Sequence, residues 1–250
     1  MSVIPPDVER WTYDSPHDGT PDWALVREGR PGNTLWAVVL HGHGATGDQL
    51  FTRPDLRPRE RQIARLGLGL LCPNLRGNAW MSPAAVEDMH YLLDLVRARK
   101  GADTFVFCSG SMGATGNLIY AVRHPEDVAG VVALCPATDI GSYYQWAAHQ
   151  TTPVVQDIAA AIRAAYGGTP QEQASVYTEH SAVAHAGRLR MPLRIVHGDA
   201  DAVIPVTQSR RLLQSLKPLG IEPDYLEIPG GHHDSPLREF RRALLSVLEE

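Results

Sequence analysis

The sequence predicts an α/β fold: a mostly parallel sheet of about eight strands with helices on both faces. Three observations carry this expectation. Short apolar runs rich in β-branched residues alternate with longer segments of helical periodicity through most of the 250 residues. The central runs, at 35–40 and 104–107, have almost no polar interruption, as strands buried on both faces require. Polar and glycine-rich clusters then follow the strands, at the ends where parallel sheets carry their functional groups.

Taken in order, the chain opens with two short strands at 10–13 and 23–26, separated by turn residues 14–19, which read as an antiparallel edge. A central strand at 35–40 ends in His41-Gly42-His43-Gly44. A helix is expected over 48–66, then a strand at 68–71. Ser82 and Pro83 mark the start of a helix that runs to about residue 100, with Val86, Met89, Leu92, Leu93 and Val96 on one face. After the 104–107 strand and the helix that follows it come strands at 131–134, 193–196 and 224–228. Two further helices are expected at 205–216 and 236–248. Residues 138–191 break the alternation and read as a small helical cap or insertion over the site, within one domain spanning 1–250.

Composition bounds the function classes. An apolar fraction of 44% and a charged fraction of 20% are ordinary for a globular protein, and a net charge of −5 without long runs of one sign carries no footprint of a nucleic-acid partner. Arg53, Arg57, Arg59, Arg61 and Arg65 gather in one stretch, but Asp55 and Glu60 interrupt them, and the reading is a solvated helix face. The start lacks a basic region followed by an apolar one, and nowhere do about eighteen apolar residues run together. The expectation is a cytoplasmic protein without a membrane partner. Cys72, Cys108 and Cys135 each follow a separate apolar run, and an odd count without C-x-x-C reads as three reduced, buried thiols.

The stretch around which the rest is organised runs from Thr104 to Tyr120. A buried strand turns sharply through Ser109-Gly110-Ser111-Met112-Gly113 into a helix. Small residues at such an elbow let strand and helix approach each other, and the residue at its tip is held in a strained backbone with its side chain exposed. Ser111 is therefore a candidate nucleophile. An orienting carboxylate is available in the turn after the 193–196 strand, where Asp201 precedes the apolar Val203-Ile204 and is preferred to Asp199, which suits a capping role. A base is available in Gly230-Gly231-His232-His233. His232, directly after the glycines, is preferred to His233. Oxyanion donors would be the backbone amides of Met112, at the start of the helix after Ser111, and of His43, which glycines flank. His41 and His43 also form an H-x-H pair that could bind a metal, but no third or fourth ligand is supplied nearby, and neither a metal nor another cofactor is expected.

These four clusters, the elbow at 109–113, the His41–Gly44 loop, the His197-Gly198-x-x-Asp201 turn and the Gly231-His232 loop, resemble the α/β-hydrolase superfamily in the order serine, acid, histidine. Within it the chain is most similar to compact esterases and prolyl-oligopeptidase-like serine hydrolases. The resemblance implies the α/β-hydrolase fold and a serine hydrolase that cleaves carboxylic esters of small molecules through an acyl-enzyme on Ser111. It leaves open a small serine peptidase of prolyl-oligopeptidase-like type, or a non-catalytic binding protein of the same fold. Ser109 departs from the first glycine of the family's G-x-S-x-G elbow. Asp139 occupies a position where some members of the superfamily carry the acid, and is the less favoured choice. Trp80, Tyr143 and Trp146, in loops at the catalytic end of the sheet and at the start of the insertion, are candidates for an aromatic substrate wall.

Overall fold

Eight strands form one sheet in the order β1-β2-β4-β3-β5-β6-β7-β8 in the computed structural model, which describes residues 4–249. The reading of the extreme N-terminus rests partly on residues 1–3, which lie outside the described residues. The strands are β1 (Glu9–Asp14), β2 (Pro21–Arg27), β3 (Leu35–Val38), β4 (Gly69–Pro73), β5 (Thr104–Gly110), β6 (Val128–Leu134), β7 (Leu193–Gly198) and β8 (Asp224–Ile228). β1 and β2 pair antiparallel, and β2 pairs antiparallel with β4; from β4 to β8 every pairing is parallel. The expected edge and the expected strand count are both present. Among the described residues no helix is long and apolar enough to cross a membrane.

The central strands look continuous in sequence because both of their faces are buried. Trp36 and Val38, Phe105 and Phe107, and Val131 and Ala133 project into one apolar cluster. Ala37 and Val39, Val106 and Cys108, and Val132 and Leu134 project into another. Period-two alternation thus persists, but with apolar residues on both sides. Helices α1 (Gln49–Thr52) and α2 (Arg57–Leu66) close the second cluster together with α9 (Phe240–Glu249). Helices α3 (Pro83–Lys100), α4 (Met112–Arg123) and α8 (Thr207–Leu216) close the first.

The helix expected over 48–66 is two helices. Pro54 offers no amide to continue α1 and restricts the residue before it, and Arg53 is extended at φ −90° and ψ 119°. The chain restarts as α2 with Pro58 in its first turn. This break carries Arg53 and Arg59 into different surroundings, which matters below. At the C-terminus the expected single helix begins as a 3-10 segment, Ser235–Glu239, before α9.

Between β6 and β7 lie α5 (Ile140–Ala148), α6 (Pro153–Ala165) and α7 (Ala174–Glu179). Their apolar faces meet in a third cluster that includes Tyr143, Ile158 and Tyr166 and is completed by Trp80, Met112 and Ile204. Met112 begins the helix after β5 and Ile204 lies in the turn after β7, so this helical layer is packed over the end of the sheet that carries the polar clusters.

Non-glycine residues with positive φ concentrate at the same end. Leu75, Trp80 and Met81 follow β4, Ser111 follows β5 and Cys135 follows β6. Strain of this kind persists only where surrounding packing enforces it. At the elbow the enforcement is visible in Gly113, where a Cβ would stand 2.5 Å from the Leu40 carbonyl oxygen and 2.9 Å from Ser109 Cβ. Backbone cannot yield there as a flexible side chain could. Gly113→Ala should therefore lower unfolding stability by about 1–3 kcal/mol, read by urea denaturation. Unchanged stability would show that the β3–α4 contact is not the constraint.

Candidate active site

Ser111 sits at φ 58° and ψ −128°, between the last residue of β5 and the first of α4. Its amide donates to the Leu134 carbonyl at 2.8 Å, which holds the elbow to β6. Ser109, the departure from the glycine pattern, has a structural use. Its Oγ accepts the Leu40 amide at 2.9 Å and donates to Asn117 Oδ1 at 3.1 Å, while Asn117 Nδ2 donates to the Val132 carbonyl at 3.0 Å. One buried hydroxyl thus couples the end of β3 to α4.

Asp201 lies in the turn after β7, and its side chain is fully buried. Its Oδ1 accepts the amides of Val203 and Ile204 at 2.8 and 2.9 Å, so the carboxylate is locked by the apolar pair that follows it. Oδ2 faces His233 Nδ1 at 2.7 Å and His197 Nε2 at 3.4 Å. On its other side His233 Nε2 faces Ser111 Oγ at 2.9 Å. Ser111, His233 and Asp201 therefore form a continuous hydrogen-bonded chain.

The histidine in this chain is His233 and not the expected His232. Gly198 packs so closely on the last loop that a Cβ there would lie 2.2 Å from the Gly231 carbonyl oxygen, and Gly231 in turn accepts the Ala200 amide at 3.0 Å. The two glycines are thus taken up in docking the loop against the β7 turn. His232 is left exposed, with its amide donating to Ser235 Oγ at 2.9 Å and its ring beside the Ala200 carbonyl. The next residue is the one that turns inward. Nothing in Gly-Gly-His-His distinguishes the two rings locally, because the difference arises from contacts with residues 198–200.

The remaining carboxylates have other partners. Asp199 accepts the Gly230 amide at 2.6 Å, tying the two loops together rather than capping a helix. Asp139 caps α5 by accepting the Ser142 amide at 3.3 Å. The amides on either side of His43 are engaged, Gly42 by Gln49 Oε1 at 3.3 Å and Gly44 by Asn78 Oδ1 at 2.8 Å. Among the described residues the His43 amide itself has no acceptor, and neither does that of Met112, the first residue of α4, whose amide lies beyond the reach of helical bonding. His43 and Ser111 open on the same cleft of about 200 Å³, whose apolar wall includes Val154 and Ile158 of α6.

The expected aromatic wall is corrected. Trp80 and Tyr143 are fully buried in the third apolar cluster, with ring centroids 5.6 Å apart, and Trp146 stacks behind Tyr143 at 6.0 Å. None of the three lines the cleft at Ser111. They pack the helical layer onto the sheet, because large rings supply the apolar area that short helices need to dock. Trp80 has one polar task, donating from Nε1 to His43 Nδ1 at 3.3 Å, while His43 Nε2 meets Asp157 of α6 at 2.7 Å. His41 instead places its ring nitrogens at the carbonyls of Gly42 and Asn74. The two histidines of the H-x-H pair therefore face different partners and do not converge on one point. Cys135, Asp201 and His233 do bring one ligand atom each to within 4.8 Å of one another, a donor set of a kind that suits zinc. Cys72, Cys108 and Cys135 are all free and buried.

Electrostatics follow from these contacts. Burial works against the charge on Asp201, but the hydrogen bonds from His197, His233 and the Ile204 amide prevail, and its pKa is well below the usual carboxylate range. Burial likewise disfavours a charged His233. The Cys135 sulfur and the Asp201 carboxylate outweigh it and raise the imidazole above its ordinary value.

Comparison with known proteins bears on the fold. The family model described as serine aminopeptidase, S33, matches residues 67–182, a span that contains the Ser111 elbow. No curated protein sequence matches the chain. Among solved structures, a protein assigned as a dipeptidyl aminopeptidase IV from Bacteroides ovatus superposes with a TM-score of 0.76 at 16% identity, covering 97% of this chain and 35% of its own. The chain thus spans about a third of that peptidase. The fluorophosphonate-binding serine hydrolase F of Staphylococcus aureus gives a TM-score of 0.71 at 14% identity, covering 96% of this chain and 98% of its own. The S-formylglutathione hydrolase of the same species gives 0.68 at 15%, with 96% and 98% covered. The chain thus has the fold of these proteins over nearly its whole length. The family model covers less than half of the chain, and the solved structures share its fold at 14–16% identity.

The contacts of His233 give a prediction of definite sign. Followed by NMR, its imidazole should titrate with a midpoint above the ordinary 6.5, and Cys135→Ala should move that midpoint downward. A wild-type midpoint at or below 6.5 would contradict the electrostatic reading.

Proposed function

We propose that this protein hydrolyses carboxylic esters of small molecules through an acyl-enzyme. The observation that carries the reading is the chain of hydrogen bonds from Ser111 through His233 to Asp201. Ser111 Oγ attacks the ester carbonyl while His233 Nε2 takes its proton. Asp201 holds the imidazole in the tautomer that leaves Nε2 free to accept, and steadies the imidazolium that forms. The free amides of His43 and Met112 supply donors for the oxyanion. His233 then gives its proton to the departing alcohol, and water repeats the sequence on the acyl-enzyme.

A peptidase reading has support in the description of the matching family model and in the structural likeness to a dipeptidyl aminopeptidase. The charge of the cleft favours the ester reading. An aminopeptidase must hold a free α-ammonium group on a carboxylate, whereas Asp234, which lines this cleft, shares it with the guanidinium of Arg59, and Arg53 is already paired with Asp55. An unpaired guanidinium disfavours an ammonium and leaves a neutral or anionic ester unopposed.

Kinetics on aryl esters test the assignment residue by residue. Ser111→Ala and His233→Ala should each lower kcat by roughly 10⁴- to 10⁶-fold, and Asp201→Asn by roughly 10⁴-fold. His232→Ala should change it only by a small factor. Because His233 must be neutral to accept a proton, kcat/KM should rise with pH as the imidazole deprotonates, with an acid limb displaced to the alkaline side of 6.5. A His233→Ala enzyme with near wild-type turnover, or faster cleavage of amino-terminal peptide amides than of matched esters, would overturn the reading.

A further inference from the structure

The cleft at Ser111 does not end at its apolar wall. It adjoins a groove of about 530 Å³ between α2 and the C-terminal helical segment, and the two share Arg53, Arg59, Asp234 and Leu237. Further along, the groove is lined by Arg65, Arg238 and Arg241. Five guanidinium groups thus face two carboxylates, Asp55 and Asp234. The Pro54 break creates this arrangement, since it separates Arg53 at the mouth from Arg59 within α2.

The arginines are not equivalent. Arg53 is neutralised by Asp55, with Nη2 to Oδ2 at 2.6 Å, and both side chains are more than half exposed. Arg59 is half-buried and has no carboxylate within ion-pair distance among the described residues. Its Nη2 donates to the Leu237 carbonyl at 3.2 Å, and its guanidinium lies 5.3 Å from the Phe240 ring centroid. Among the described residues, one backbone carbonyl and one ring face leave most of its five donors without a protein acceptor. Burial depresses its pKa, opposed by the more distant Asp55, so the protein itself only partly compensates the desolvated charge. In a protein of net charge −5, a half-buried unpaired guanidinium bordering the nucleophile is a cost that folding alone does not explain.

We propose that Arg59 is the anion-binding residue of the substrate site, so that the preferred ester carries a carboxylate or phosphate held at the junction of the cleft and the arginine groove. A planar guanidinium with free donors suits two-oxygen recognition of such a group. Arg238 and Arg241 at the groove's exposed rim add attraction at longer range, and Asp234 at the junction limits how many negative charges the site accepts. The assignment rests on the ester-hydrolase reading for the position of the scissile carbonyl, and it gives that reading a substrate class: esters of dicarboxylic or phosphorylated acids or alcohols.

Binding separates this assignment from turnover. Ser111→Ala protein, which cannot acylate, is titrated by calorimetry with monomethyl glutarate and with its neutral counterpart, dimethyl glutarate. The monoanion should bind at least about tenfold more tightly, and the difference should weaken with added salt. It should disappear when Arg59→Met is added, a change that keeps an unbranched apolar stem and removes the guanidinium with its charge. Inorganic phosphate and glutarate titrated separately distinguish the two sources of the anion, the tighter binder naming the group carried by the substrate. Equal affinity for the charged and neutral esters, including failure to bind either, overturns the proposal, as does a preference that survives Arg59→Met. The wild-type protein needs no substitution for a parallel test: kcat/KM for a p-nitrophenyl hemiglutarate should exceed that for p-nitrophenyl valerate. A protein that binds the monoanion but leaves every ester intact would remove the hydrolase reading and keep the anion site.

Discussion

The structure depends on the backbone of one residue. Ser111 is held at φ 58° and ψ −128°, a conformation that L-residues avoid, and everything that carries chemistry is arranged around the direction this gives its side chain. The constraint is shared among three strands. The Leu134 carbonyl of β6 takes the Ser111 amide, Gly113 lets α4 lie against the end of β3, and Ser109 Oγ takes the Leu40 amide. Because β3, β5 and β6 are buried on both faces by separate apolar clusters, the frame that imposes the strain is packed from both sides. The cost, of order 1–3 kcal/mol for such a conformation, is distributed over a sheet that can bear it.

The proposed acid and base are built on a different logic. Asp201 and His233 sit on two loops that hold each other, through Gly198 against Gly231, Asp199 against Gly230, and Ala200 against Gly231. The carboxylate has one oxygen fixed by two backbone amides, and only the other faces the imidazole. Such an oxygen has little freedom to leave the histidine, which keeps the tautomer fixed without further groups. His43 extends the same principle to the loop after β3, where its ring is held between Trp80 and Asp157 while its amide stays unengaged. The helical layer over the sheet therefore does more than cover the cleft: through α6 it fixes the loop that presents a free donor.

Much of this was legible in the chain. The alternation of apolar runs and helical segments gave the parallel sheet, and Ser111 and Asp201 could be read from residues that are neighbours in sequence. The strained elbow needs small residues beside it, and the anchored turn needs Val203 and Ile204 after the acid. His233 was not legible because His232 and His233 differ only in how Gly231 docks on Gly198, a contact between loops some thirty residues apart in the chain. The aromatic residues misled for a related reason. Trp80 and Tyr143 lie near the site in the fold, but a short helical layer uses large side chains first to attach itself. The arginine stretch read as a solvated face because Asp55 and Glu60 interrupt it in sequence. In space Glu60 turns away to pair with Arg27, and among the described residues Arg59 is left without a carboxylate within ion-pair distance.

The central claim is that Ser111 is an activated nucleophile, and the most direct test is the intact mass of the protein after incubation with a fluorophosphonate, followed by peptide mapping. The account predicts one adduct per chain, located on Ser111, and no adduct in protein unfolded before exposure to the reagent. An adduct at any other residue, or an unmodified Ser111 in folded protein under conditions that label a reference serine hydrolase to completion, would contradict it.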